Sequence, residues 1–296
     1  MSAVQEPLAV IQAGTQLMPV PLVPEIRLHL ASEPVALWEQ TERDLGRAGL
    51  EPPYWGFAWA GGQALARYLL DRPALVAGRR VIDLASGSGL VAIAAARAGA
   101  ATVAAYDVDP VAVAAIGLNA AANGVAVSAI RADILDADPP LAGPPGSEPP
   151  PAGPPPGGPP PGEPPAADPP RAGPPGSESP APGPPPAGLP GGEPPPAGPP
   201  AGGAEGGAGL AREAARDAAA ALVLAADAWY ERELADRLLC FLERARNGGA
   251  DVLVADPGRA YLPRDRFTRL ATYRVPGTGA LEDSDTKTAS VLAPAW

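Results

Sequence analysis

Val81-Ile82-Asp83-Leu84-Ala85-Ser86-Gly87-Ser88-Gly89-Leu90 decides the fold of this chain. A short apolar run ends in an acid, small residues make a tight turn, and Leu90 to Ala98 has helical composition. Val103 to Tyr106 is a second apolar run, ending in Asp107-Val108-Asp109-Pro110. This is the pattern of a ligand-binding β-α-β unit. Glycines let the backbone pass close to a ligand beside a helix N-terminus, and an acid about 20 residues on can hold ribose hydroxyls.

Gly87-x-Gly89-x-x-Ala92 also fits the relaxed dinucleotide fingerprint, so a nicotinamide-dependent oxidoreductase is one reading. Asp83 argues against it. A carboxylate just ahead of the turn would face the pyrophosphate of NAD, a like-charge contact that costs energy. S-adenosylmethionine carries an ammonium and a sulfonium at its methionine end, so an acid there is favourable. A βα turn with no ligand is the plain alternative.

Outward from this unit, β and α patterns alternate, as in a doubly wound sheet. Before it, Ile26 to Leu30 reads as a strand, Pro34 to Leu45 as a helix, and Gln63 to Leu70 as another helix. After it come a helix at Val111 to Ala122, started by Pro110, and a strand at Val125 to Ile130. Ala221 to Ala226 has the continuous apolar character of a central buried strand. A helix at Arg232 to Arg246, a strand at Asp251 to Ala255 and a short helix at Arg264 to Leu270 follow. Thr272 to Val275 and Thr288 to Ala293 close the sheet as an antiparallel pair. The fold class expected is α/β: a Rossmann-like, doubly wound, mostly parallel seven-stranded sheet with an antiparallel C-terminal strand.

Residues 139–209 interrupt this pattern with little but Pro, Gly and Ala, and hold about 30 of the 43 prolines. They lack the apolar surface to offset chain entropy, so a disordered insert is expected there, a loop expansion between two core strands. Residues 22–138 and 210–296 are then a single domain, long enough for a proper core, and residues 1–21 a flexible tail.

The net charge of −11 disfavours a nucleic-acid partner, which calls for a basic face. His29 and Cys240 are each the sole residue of their type, which excludes disulfides, cysteine-rich or multi-histidine metal sites and Ser-His-Asp triads within the chain. His29 is read as structural, and Cys240 as core or near-core in the pattern Leu234, Leu238, Phe241, Leu242. No stretch approaches a membrane span and no leader pattern opens the chain, so a cytoplasmic protein is expected.

Asp83-Leu-Ala-Ser-Gly-Ser-Gly-Leu, Tyr106-Asp-Val-Asp-Pro and Leu118-Asn-Ala-Ala-Ala-Asn-Gly resemble the seven-β-strand S-adenosylmethionine methyltransferases. Pro52-Pro-Tyr-Trp-Gly-Phe-Ala-Trp and Asp256-Pro-Gly-Arg are similar to the electron-transfer-flavoprotein β-subunit lysine methyltransferases and the related nicotinamide N-methyltransferase-like group. Ala85 stands where the family has its first turn glycine. The resemblance implies that Asp83, Ala85, Gly87 and Gly89 wrap the methionine part of the cofactor, and that Asp107 takes the ribose hydroxyls in preference to Asp109. It further implies that Asp133 reaches the adenine amine and that Trp59 lies at the cofactor edge. Tyr54, Trp55, Phe57 and Trp59 could equally be a hydrophobic plug over the sheet.

Asp227-x-x-Tyr230 follows the central strand where a substrate amine must enter. Asp227 could hold the incoming ammonium, with Trp229 or Tyr230 offering an aromatic face to it; a helix cap is the plain alternative for Asp227. The implied activity is protein-lysine N-methylation on an electron-transfer-flavoprotein β-subunit-like or ribosomal protein, by a monomer with no nucleic-acid or membrane partner. Transfer to a small amine or pyridine is the alternative. A non-enzymatic protein whose Pro-x-x-Pro spacings recruit SH3-like partners is a third reading, with Arg171 the insert's single basic flank.

Overall fold

Parallel strands buried on both faces are apolar throughout, as Leu222–Ala226 is here. The computed structural model describes residues 5–31, 52–142, 220–276 and 286–296. The chain divides into one unit of residues 1–148 and 209–296 and another of residues 149–208; all the described residues belong to the first. Its strands are β1 (Gln16–Val20), β2 (Val23–Leu30), β3 (Arg80–Leu84), β4 (Thr102–Asp107), β5 (Ser128–Arg131), β6 (Leu222–Ala226), β7 (Asp251–Asp256), β8 (Phe267–Pro276) and β9 (Thr286–Pro294). Its helices are α1 (Gln5–Gly14), α2 (Ala60–Leu70), α3 (Leu90–Arg97), α4 (Pro110–Ala122) and α5 (Arg232–Asn247).

Seven strands form one sheet in the order β5-β4-β3-β6-β7-β9-β8. From β5 to β7 all neighbours are parallel, while β9 runs antiparallel to both β7 and β8. This is the doubly wound sheet with an antiparallel C-terminal strand that the sequence predicts. The period of two sorts side chains to opposite faces. Val81, Leu222, Leu224 and Leu253 join Leu65 and Leu69 of α2 and Ala92 of α3. Ile82, Val223, Val252 and Val254 join Leu238, Phe241 and Leu242 of α5. The chain moves outward in opposite directions from the β3–β6 pair, so the crevice at that reversal is the place where such sheets bind ligands.

Several expectations need correction. Residues 1–21 are no loose tail: α1 and β1 occupy most of them, with Val10 and Ile11 buried against Trp55, Phe57, Val111 and Ala115. Their apolar positions find that cover only in the fold. Arg264 to Leu270 is not a helix; a 3-10 turn, Arg264–Arg266, leads into β8, because Phe267 and Thr268 are already in register with β9. Cys240 is exposed, since Leu238, Phe241 and Leu242 define the inner face of α5. The insert begins later than residue 139. The Arg80 Nε–H donates to the Pro140 carbonyl (3.1 Å), and Leu141 packs on the α5 side of the core. Residues 143–209 lie outside the described residues, as does the helix expected at Pro34 to Leu45.

Candidate functional site

Parallel pairing puts the C-terminal ends of β3, β4, β6 and β7 along one edge, and each of these strands ends at or just before an acid or a glycine turn. At β3, Asp83 is buried. Its Oδ2 accepts the Ser86 hydroxyl (2.5 Å) and the Ala92 N–H (3.2 Å). The turn after it is left-handed at Ala85 (φ 49°), Gly87 (φ 54°) and Gly89 (φ 83°). Ala85 therefore adopts the conformation that a glycine would take without strain. At Gly89 a Cβ would stand 3.2 Å from the Ile116 Cα, so glycine lets α4 approach the turn. A Cβ on Gly87 would meet nothing nearer than the Tyr54 carbonyl at 3.9 Å.

Asp107, at the end of β4, accepts the Gly87 N–H at Oδ2 (2.9 Å) and the Asp109 N–H at Oδ1 (3.0 Å). Asp109 instead caps α4 through the Val111 N–H (2.7 Å), which separates the two neighbouring acids. The buried Asn119 accepts the His29 N–H (2.8 Å) and donates to the Ser88 carbonyl (2.8 Å), tying β2 to the turn. His29 accordingly serves structure: its Nδ1 lies 3.3 Å from Thr15 Oγ1. Burial pushes the Asp83 carboxyl up to about 7, with the Asp107 charge adding to the effect, and burial also raises Asp107 and Asp109.

The register Ala226↔Ala255 makes the next residues, Asp227 and Asp256, side-by-side neighbours. Asp227 has φ 58° and is 9% exposed. Its Oδ2 accepts the Gly62 N–H at the start of α2 (2.7 Å), and its Oδ1 accepts an Arg259 guanidinium N–H (3.2 Å). So Asp227 does cap a helix, though α2 and not the helix that follows it. Asp256 Oδ1 accepts the N–H groups of Gly258 and Arg259 (2.6 Å each), and burial lifts its carboxyl to about 6. Arg259 also lies over the Trp59 ring, 5.5 Å from its centroid. Trp59 donates its Nε1–H to the Tyr54 carbonyl (2.8 Å), and the Tyr54 ring lies 5.2 Å from that of Tyr230.

The structure thus assembles Asp83, Ala85, Gly87, Gly89 and Asp107 in one turn region, and Asp227 with Trp59 through Arg259. Two further residues have partners of their own. Trp229 is fully buried against Phe267 and cannot offer a face to a ligand, leaving Tyr230, 39% exposed, as the aromatic at that edge. Asp133 is paired with Arg237 of α5 (2.8 Å), which also holds Asp136 (2.7 Å). Sequence reasoning gave Asp256 and Arg259 no role. The signal was there: Ala225-Ala226-Asp227 and Val254-Ala255-Asp256 end adjacent strands alike.

Residues 64–139 match the family model of the ribosomal protein L11 methyltransferase (PrmA). Over 107 residues the chain is 49% identical to the electron transfer flavoprotein beta subunit lysine methyltransferase of Mus musculus, covering 35% of this chain and 40% of that protein. The Homo sapiens protein of the same name is 48% identical over 105 residues, covering 34% and 38%. The chain is similar to these methyltransferases, as its motifs predict. It spans about 40% of the length of these curated relatives. The ribosomal protein L11 methylase of Lactobacillus delbrueckii subsp. bulgaricus matches in structure with 15% identity over 80% of each chain, at a TM-score of 0.39.

Proposed function

We propose that the protein is an S-adenosylmethionine-dependent N-methyltransferase that modifies lysine side chains of a protein substrate in the cytoplasm. The observation that carries this reading is the placement of a buried acid, Asp83, beneath a left-handed glycine turn that is itself tied to Asp107. The similarity to named lysine methyltransferases points the same way.

The residues fit the cofactor. Gly87 leaves open space where a side chain would intrude, and Asp107 keeps lone pairs for ribose hydroxyls beyond the two amides it accepts. Asp83 is a buried carboxylate that a nearby cation would favour in its charged form. The cofactor supplies a methyl group already activated by sulfonium, so the protein's task is alignment and proton handling. A free lysine has a pKa of about 10.4 and must lose a proton before it can attack. In this reading Asp227 holds the ammonium, and the Tyr54–Tyr230 pair offers the carbon chain an aromatic wall.

The purified chain is to be incubated with methyl-labelled S-adenosylmethionine and the total protein of a cell lysate. Label recovered as methyllysine after hydrolysis supports the reading. Label confined to small amines overturns the protein-substrate reading. Tighter calorimetric binding of NAD than of S-adenosylhomocysteine overturns the methyltransferase altogether.

A further inference from the structure

One cation serves two buried acids at the edge of the candidate site. The Asp256 side chain is wholly buried, and its Oδ2 has no hydrogen-bond partner; Arg259 Nε lies 3.7 Å from it. Hydrogen bonds pin the Asp256-Pro257-Gly258-Arg259 turn. Asp256 Oδ1 gathers two successive N–H groups, Gly258 takes φ 96°, and Arg264 donates to the Gly258 carbonyl (2.8 Å). That turn carries the Arg259 guanidinium across from β7 to Asp227, at the end of β6, and onto the Trp59 ring. From α2, Asp227 meets only backbone N–H groups, because the first turn of that helix holds no acid. Arg259 is then the one side-chain cation facing Asp227 among the described residues, and Asp256 the neighbouring anion.

We infer that Arg259 is a positioning residue for methyl transfer that acts through Asp227: its guanidinium, delivered by this turn, fixes the Asp227 carboxylate in place and in charge beside the Trp59 ring. The inference rests on the reading of Asp227 as the group that receives the amine. Burial alone drives Asp227 toward its neutral form, and Arg259 opposes that. An opposite charge at this range lowers a carboxylate pKa by about 1 to 3 units. Losing the guanidinium must therefore raise the Asp227 midpoint and, with it, the acid limb of the rate profile.

Arg259→Gln and Arg259→Lys are to be made in the full chain. The Asp227 midpoint is read by carbon NMR of labelled aspartate, assigned by the signal lost in Asp227→Asn. Methyl transfer to lysate protein is followed from pH 5 to 9, and S-adenosylhomocysteine affinity by calorimetry. The Gln variant should raise the midpoint and the acid limb together by about one unit or more. The Lys variant should return both most of the way, and cofactor affinity should change less than about threefold, below what one lost charged contact costs. An unmoved midpoint overturns the inference; so does a midpoint that moves while the acid limb stays. A fall in cofactor affinity matching the fall in rate also overturns it, by placing Arg259 in the cofactor shell. If the wild-type chain transfers no methyl group at all, the functional reading fails, and an unmoved midpoint would then show separately that Arg259 does not govern Asp227. Should the Gln variant not fold, Arg259→Met decides by the same readings: an Asp227 midpoint and an acid limb that stay at their wild-type positions overturn the inference.

Discussion

In the proposed reading, Asp83 is the residue at which stability and cofactor binding pull in opposite directions. Burial lifts its carboxyl from an ordinary value near 3.8 to about 7, so the folded state holds the proton more tightly than the unfolded chain does. Its contribution to stability is fully present below pH about 4, declines as pH rises and is lost above pH about 7. Between pH 5 and pH 8 that amounts to something on the order of 2 to 3 kcal/mol. Asp83→Asn removes this dependence. The variant should melt above the wild type at pH 8, with the gap narrowing at pH 5 in calorimetric scans. A cationic cofactor reverses the preference by favouring the carboxylate. Calorimetry should show S-adenosylmethionine binding tightening about tenfold from pH 6 to pH 8, with proton release at the lower pH and none in Asp83→Asn. An equal affinity at both pH values would remove Asp83 from contact with the ammonium.

Asp227→Asn probes the other acid. Asparagine keeps an oxygen for the Gly62 N–H but discards the charge, so methyl transfer should fall about 10²-fold or more, the low end of what positioned proton handling supplies. Cofactor affinity should hold. Transfer at the wild-type rate would leave Asp227 with its capping role alone.

Among the elements, α2 meets the site most closely. A Cβ on Gly61 would stand 2.6 Å from both the Ala255 carbonyl and Asp227 Oδ2, so glycine there lets the helix start against the ends of β6 and β7. Gly61→Ala should cost about 1 to 3 kcal/mol, as overpacking does, despite alanine's better helix propensity. Denaturant unfolding reads this directly; an unchanged midpoint would mean that the helix start shifts freely. Elements with local signals were legible from sequence. β3 through α4 could be read because apolar runs and glycines alternate there at the right periods, and β6 because it is continuously apolar. α1 and β1 could not, since Val10 and Ile11 gain their meaning only from Trp55 and Val111, distant in sequence. The same limit explains the site. Asp83, Gly87 and Asp107 sit in a local motif, whereas the Asp227–Arg259 pair and the Asp133–Arg237 pair depend on which strands and helices become neighbours.

At the scale of the molecule, both flanks of the Pro-rich stretch are fastened at one place. Arg79 donates to the Ala220 and Ala221 carbonyls and pairs with Asp251, and the adjacent Arg80 donates to the Pro140 carbonyl. These residues open β3, at the end of the sheet opposite the candidate site. We therefore expect that replacing residues 145–209 by a short Gly-Ser link preserves the thermal transition and cofactor binding. A deletion starting at residue 139 also removes the Pro140 and Leu141 contacts. It should lower Tm by roughly 2 to 4 °C for each 1 kcal/mol lost. Equal melting of the two deletions would show that the fastening adds nothing.

That interruption also divides the chemistry between two stretches of chain. Trp59, Asp83, Gly87 and Asp107 precede it, while Asp227, Tyr230 and Arg259 follow it. In the proposed reading, a product ending within it would keep Asp83, Gly87 and Asp107 for the donor and lack Asp227, Tyr230 and Arg259. It would also leave β3, the strand that should pair with β6, with one edge bare and prone to pair with other chains.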